Sequence, residues 1–223
     1  MSTITALGRL SKPATVLVKV AMAVSGVGMA SWVTLHMAGN LLWLFGPDVM
    51  DTYGRLLHGS GVLWPVHLLL VGGLVVHVIG AVLTTQQSCS ARPVRYRHGL
   101  RPIASSVSSR SMRWTGGALL AFGVYHVLRV YGVGHAGHVP GAFHHNLSTL
   151  LSRPLEALLL AAATGLLCTH LAHGLASAWA SVGLVSERRE PQLRAALRLW
   201  SGLVTAGFLA PLLVRWWQLG PGL

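Results

Sequence analysis

The stretch VLWPVHLLLVGGLVVHVIGAVLTT, Val62–Thr85, runs for 24 residues without an Asp, Glu, Lys or Arg. At about 1.5 Å of rise per helical residue it can cross a hydrocarbon layer about 30 Å thick. It also holds two imidazoles, His67 and His77, where an ionisable group is costly and is by default a candidate for function. Four more runs of this character flank it: Val20–Phe45, Trp114–Val133, Leu155–Val185 and Leu199–Leu219. The run from Leu155 is long enough to tilt strongly or to project from the bilayer. The expected fold is an all-α membrane protein, one integral-membrane domain over residues 1–223, built as a bundle of five transmembrane helices.

Composition agrees, with 52% apolar residues, 10% charged residues and a mean hydropathy of +0.58. The net charge of +12 would suggest nucleic acid only if it formed a patch on a soluble domain, and here the charges fall between apolar runs. Arg9, Lys12, Lys19, Arg92, Arg95, Arg97, Arg101, Arg110, Arg113, Arg188, Arg189, Arg194 and Arg198 fall on one side of the runs. Only Arg55, Arg129, Arg153 and Arg215 fall on the other. The positive-inside rule then predicts a cytoplasmic N-terminus and an external C-terminus. No removable signal peptide is expected before the first run, which follows Ser11-Lys12-Pro13.

Cys89 and Cys168 lie apart, so neither a disulfide framework nor a thiolate cluster is expected. There is no phosphate-binding loop, dinucleotide fingerprint or carboxylate pair within the runs, and hydrolysis and nucleotide binding drop out. Histidine remains, twelve in all, six of them inside the runs: His36, His67, His77, His126, His170 and His173. Depth sorts these six. From the cytoplasmic ends of their runs His36 lies roughly 24 Å and His126 roughly 18 Å deep; from the external ends His77 and His170 each lie roughly 22 Å deep. Two level pairs from four different helices suit two bis-histidine haems, whereas a structural zinc site gathers four ligands at one point.

A macrocycle beside a helix needs room, and glycines three or four residues away share a histidine's face. His36 has Gly39, His77 has Gly73 and Gly80, His126 has Gly123 and His170 has Gly174, while His67 and His173 have none. His67 is expected near the outer haem or a quinone, or in a helix contact, and His173 near a haem propionate. His135, His138, His144 and His145 are read as parts of a solvated external loop. Glu156 and Arg129 are read as interfacial residues, and Trp216 and Trp217 as an aromatic belt.

Several motifs resemble, in order along nearly the whole chain, the two-haem, five-helix cytochrome b subunit (cytochrome b558 type) that anchors succinate dehydrogenases and fumarate reductases. They are KVAMAVSG at Lys19–Gly26, HMAGN at His36–Asn40, the stretch from His77 to Tyr96 with Ala91-Arg92-Pro93, Ser109-Arg110-Ser111-Met112, and HLAHG at His170–Gly174 with Ser177 and Ser181–Leu184. The resemblance implies that His36 and His126 ligate a distal haem b and that His77 and His170 ligate a proximal one. It implies a subunit that anchors a flavoprotein and an iron–sulfur protein and exchanges electrons with a membrane quinone, expected to be menaquinone. The dicarboxylate site would lie on another chain. Some relatives carry a membrane carboxylate two residues before the last ligand, where this chain has Cys168, so a proton relay of that type is not expected. Two alternatives stay open: a haem b subunit of a hydrogenase or formate dehydrogenase, and a haem-free transporter or assembly scaffold.

Overall fold

The computed structural model describes residues 12–90 and 107–220. Arg9, Arg92, Arg95, Arg97 and Arg101 and the Ala91-Arg92-Pro93 motif lie outside the described residues, as do the side chains of Lys12 and Arg110. Among the described residues the chain forms seven α-helices: α1 (Lys12–Leu41), α2 (Pro47–Gly59), α3 (Leu63–Ser90), α4 (Val107–Val130), α5 (Phe143–Leu151), α6 (Pro154–Ser181) and α7 (Glu190–Leu219). A 3₁₀ turn, Leu42–Phe45, continues α1.

Prolines mark the starts of α2, α6 and α7, where a missing N–H costs nothing, and Asp48, Glu156 and Glu190 place negative charge in those first turns. Gly183 and Gly220, at φ 72° and 73°, end the last two helices in a backbone conformation that favours glycine.

Among the described residues four helices are long and apolar enough to cross a membrane: Ala14–Phe45, Leu63–Ser90, Pro154–Ser181 and Glu190–Leu219. Their outward faces are apolar, with Trp64, Leu68 and Leu69 more than 70% exposed, as a lipid-facing surface requires. The fifth expected span, on α4, is not among them. Its apolar stretch is bracketed by Arg113 and Arg129, which stand roughly 24 Å apart along the axis.

The core gathers on α1, α6 and α7, where Ala30, Leu171, Leu175 and Val204 are buried against Met37, Trp200 and Phe208. Small residues make this close approach possible: Ala163, Ala176 and Ala178 on α6, and Ser201 on α7, whose hydroxyl donates to the Leu197 carbonyl at 2.8 Å. The closely packed pairs are α1 with α3, α6 and α7, and α6 with α4 and α7. Neither α1 with α4 nor α3 with α6 is among them.

Helices α2 and α5 pack on each other and cap one end of the bundle. Gly54 lies under the Phe143 ring, so close that a Cβ there would stand 2.3 Å from a ring carbon. Asp51 accepts the His144 backbone N–H at 2.8 Å, and Trp43 donates to the Ser148 hydroxyl at 2.8 Å while stacking on His144. Arg215 and Trp216 tie the cap to α7 through the Ser152 hydroxyl and the Leu151 carbonyl, each at 2.8 Å. Trp216 is thus a cap contact, whereas Trp217 is 84% exposed.

Candidate functional site

Four histidines meet in two pairs. The rings of His36 on α1 and His126 on α4 have centroids 6.1 Å apart and stand at 75°; those of His77 on α3 and His170 on α6 are 6.3 Å apart at 62°. Each pair bridges two helices that do not pack closely on each other, so the imidazoles face across the gaps in the bundle. Among the described residues no group of three or more His, Cys, Asp or Glu is placed to hold a metal ion. What the bundle offers is two pairs of facing imidazoles.

The pair farther from the cap is held by its neighbours. His77 Nδ1 lies 3.1 Å from the Met22 carbonyl, and His170 Nδ1 lies 3.1 Å from the Thr115 hydroxyl, which donates to the Met112 carbonyl at 3.1 Å. A carbonyl only accepts, so His77 carries its proton on Nδ1. The Thr115 oxygen, having donated its own proton, accepts from His170 in the same way. Both rings therefore keep a lone pair on Nε2, the arrangement in which an outer partner orients a metal-binding histidine.

The glycines that adjoin these rings lie on facing helices: a Cβ at Gly26 would stand 3.1 Å from His77 Cε1, and one at Gly116 would stand 3.3 Å from His170 Cε1. The expected same-helix glycines do other things. Gly39 faces Tyr53, Gly80 faces Met22, Gly174 faces Met112, and Gly73 and Gly123 border open space.

The pair nearer the cap is held by aromatic stacking. His36 stacks on Trp32 at 4.8 Å and touches Phe208, and His126 stacks on Phe122 at 5.6 Å. The Asn40 amide donates to the His36 carbonyl at 2.8 Å and lies 3.2 Å from His36 Nε2. His67 joins neither pair; it stands about 15 Å along α3 from His77. His173 sits beside Arg194, which pairs with Glu190.

One turn beyond His126, Arg129 pairs with Glu156 of α6, and Tyr125 donates to the same carboxylate. The two charged side chains are only 13% and 12% exposed, so the pair is largely buried within the chain. Most residues of the loop that follows are exposed, as a solvated loop requires, and His135 is the buried exception. His135 is 5% exposed, and burial, followed by the nearby Arg153 and Arg129 charges, holds its pKa below the ordinary value. His138 packs edge-on against it, with ring centroids 5.5 Å apart, while His144 and His145 belong to α5. Glycines at positive φ, Gly132, Gly134, Gly137 and Gly141, form the turns of this loop. Asn146 clamps it through both backbone groups of Val139, and Arg153 does so through the Ala136 carbonyl.

Fold and site together define a multi-pass, all-helical membrane protein with paired intramembrane histidines. The family described as succinate dehydrogenase/fumarate reductase transmembrane subunit matches residues 91–210, and the chain belongs to it. The chain is thus a membrane subunit of an oxidoreductase complex. No curated protein and no solved structure matches it.

Proposed function

We propose that the chain is the two-haem cytochrome b anchor of a succinate:quinone oxidoreductase, carrying electrons between a cytoplasmic iron–sulfur subunit and a membrane quinone, menaquinone in the expected case. A flavoprotein subunit would complete the complex and hold the dicarboxylate site. The observation that carries this reading is the pair of ring separations, 6.1 and 6.3 Å. A metal–imidazole bond is about 2.0–2.1 Å and the ring centre lies roughly 1 Å beyond the nitrogen, so two imidazoles that hold one metal ion from opposite sides would stand on the order of 6 Å apart.

Haem, held by His36 with His126 and by His77 with His170, would supply reversible one-electron iron chemistry. The chain's own part is to present ligands, keep them deprotonated at the binding nitrogen and exclude water. At the far pair, Met22 and Thr115 hold the Nδ1 protons and leave Nε2 of His77 and His170 available. At the capped pair, ligation through His36 Nε2 would displace the Asn40 amide from that nitrogen, while its bond to the His36 carbonyl could remain.

In this reading α4 is the fifth span, with Arg113 at one interface and Arg129 neutralised by Glu156 near the other. The capped end is external, on the charge distribution of the loops, and the membrane is a bacterial cytoplasmic membrane. Affinity purification in mild detergent tests the assignment. Two haems b per chain, copurifying with a flavoprotein and an iron–sulfur subunit, is the expected result, and one haem or none would refute it.

The facing glycines give a second test. Gly26→Val places a branched side chain where even a Cβ would lie 3.1 Å from His77, and overpacking of this kind costs about 1–3 kcal/mol. The variant should lose the His77/His170 haem and keep the other, as read from low-temperature α-band spectra. Full retention of both would separate Gly26 from the haem site.

A further inference from the structure

Among the described residues, four buried side-chain nitrogens lack a hydrogen-bond partner: Gln87 Nε2, Arg129 Nε and both ring nitrogens of His135. Three of the four lie together at the capped end of α4. The Arg129 carbonyl lies beside the His135 ring, yet neither ring nitrogen completes a bond. Buried N–H groups are nearly always satisfied, so a cluster of unsatisfied ones marks where an acceptor belongs. The surrounding charge sets the sign of that acceptor. Arg129 and Arg153 both lie near His135, which disfavours a cation there and favours an anion, and Glu156 neutralises only one guanidinium.

The position is equally specific. Arg129 is three residues beyond His126, about 4.5 Å along the axis and on nearly the same helical face. The loop is also shaped to deliver His135, because a Cβ at Gly132 would stand 2.9 Å from His138 Nδ1 and one at Gly134 would stand 3.0 Å from Arg129 Nη1.

We propose, resting on the two-haem reading above, that Arg129 Nε–H and a His135 ring N–H bind the propionate carboxylates of the haem held by His36 and His126. This haem's carboxylate edge then points toward the α2/α5 cap. The two donors offset propionate charge and so favour the reduced iron. The residues are positioning groups and not ligands.

The test uses the intact complex with haem labelled by ¹³C at the propionate carboxylates, comparing wild type, His135→Ala and His135→Gln, which keeps an N–H donor. Each midpoint potential is assigned by comparison with the single-haem His170→Ala variant. In His135→Ala the ferrous-to-ferric ratio of the capped-end haem at fixed ambient potential should fall on the order of tenfold, the low end for loss of an outer-shell partner. His135→Gln should restore it in part, and the other haem should not change. Isotope-edited infrared difference spectra of the wild type should show hydrogen-bonded carboxylates.

Wild-type complex lacking two haems would overturn the underlying assignment together with this one. Two haems with an unmoved potential in His135→Ala would overturn this proposal alone, as expected if a lipid phosphate were the anion. So would wild-type bands of free, solvated carboxylates, a result that needs no variant to fold.

Discussion

On the two-haem reading, His170→Ala should lower the haem content of the assembled complex from two per chain to one, and the haem that remains should be the one held by His36 and His126. A haem held by two histidines would lose a large part of its binding energy with either one of them. His77 alone stays tied to the Met22 carbonyl and cannot cross the gap between α3 and α6 to compensate. His77→Ala should therefore resemble His170→Ala, and His36→Ala should resemble His126→Ala with the other haem missing. His67→Ala and His173→Ala should keep both haems, since neither ring joins a pair. Pyridine haemochrome quantification with low-temperature spectra reads all six. Loss of a haem in His67→Ala, with both retained in His36→Ala, would break the assignment.

The histidines set level by simple depth arithmetic are those whose rings meet, because depth depends only on rise per residue and on where each apolar run begins. Their role as haem ligands is the proposal, not the contact. The runs themselves were readable for the same reason, since lipid-facing helices carry their apolar character all round. Helices α2 and α5 were not readable. They are short and mix Asp48, Asp51, His144 and Asn146 with apolar residues, and only tertiary partners such as Trp43 and Phe143 give them a face to bury.

Of the glycines that lie three or four residues from a paired histidine, Gly73 and Gly123 border open space. Spacing of three or four residues finds neighbours on one helix, whereas Gly26 and Gly116 meet their imidazoles across helix interfaces. His135 is buried in a loop whose other residues are mostly exposed, and nothing in its spacing from His138 or the neighbouring glycines marks it out. For Glu156 a usable signal was present: it is the only acidic residue within the five apolar runs, and Arg129 falls at the same end of the bundle. An isolated carboxylate at membrane depth needs a cation, and the nearest available one was already in view.

That ion pair carries the other large expected effect. Glu156→Leu leaves the Arg129 guanidinium buried without its counter-charge, and breaking a buried pair from one side costs about 3–5 kcal/mol. The carboxylate is also the acceptor for the Tyr125 hydroxyl, so a second buried donor is orphaned by the same substitution. Arg129→Met should cost less than Glu156→Leu, because a stranded carboxyl can take up a proton while a guanidinium cannot give one up. The double variant, Arg129→Met with Glu156→Leu, removes both charges and replaces them with apolar groups of similar length. It should recover most of the loss, since well-packed apolar substitutes for buried pairs are often neutral. Thermal inactivation midpoints of the purified complex in one detergent give the comparison directly. A single Glu156→Leu variant as stable as wild type, or a double variant no better than the single, would show that the pair does not hold α4 against α6.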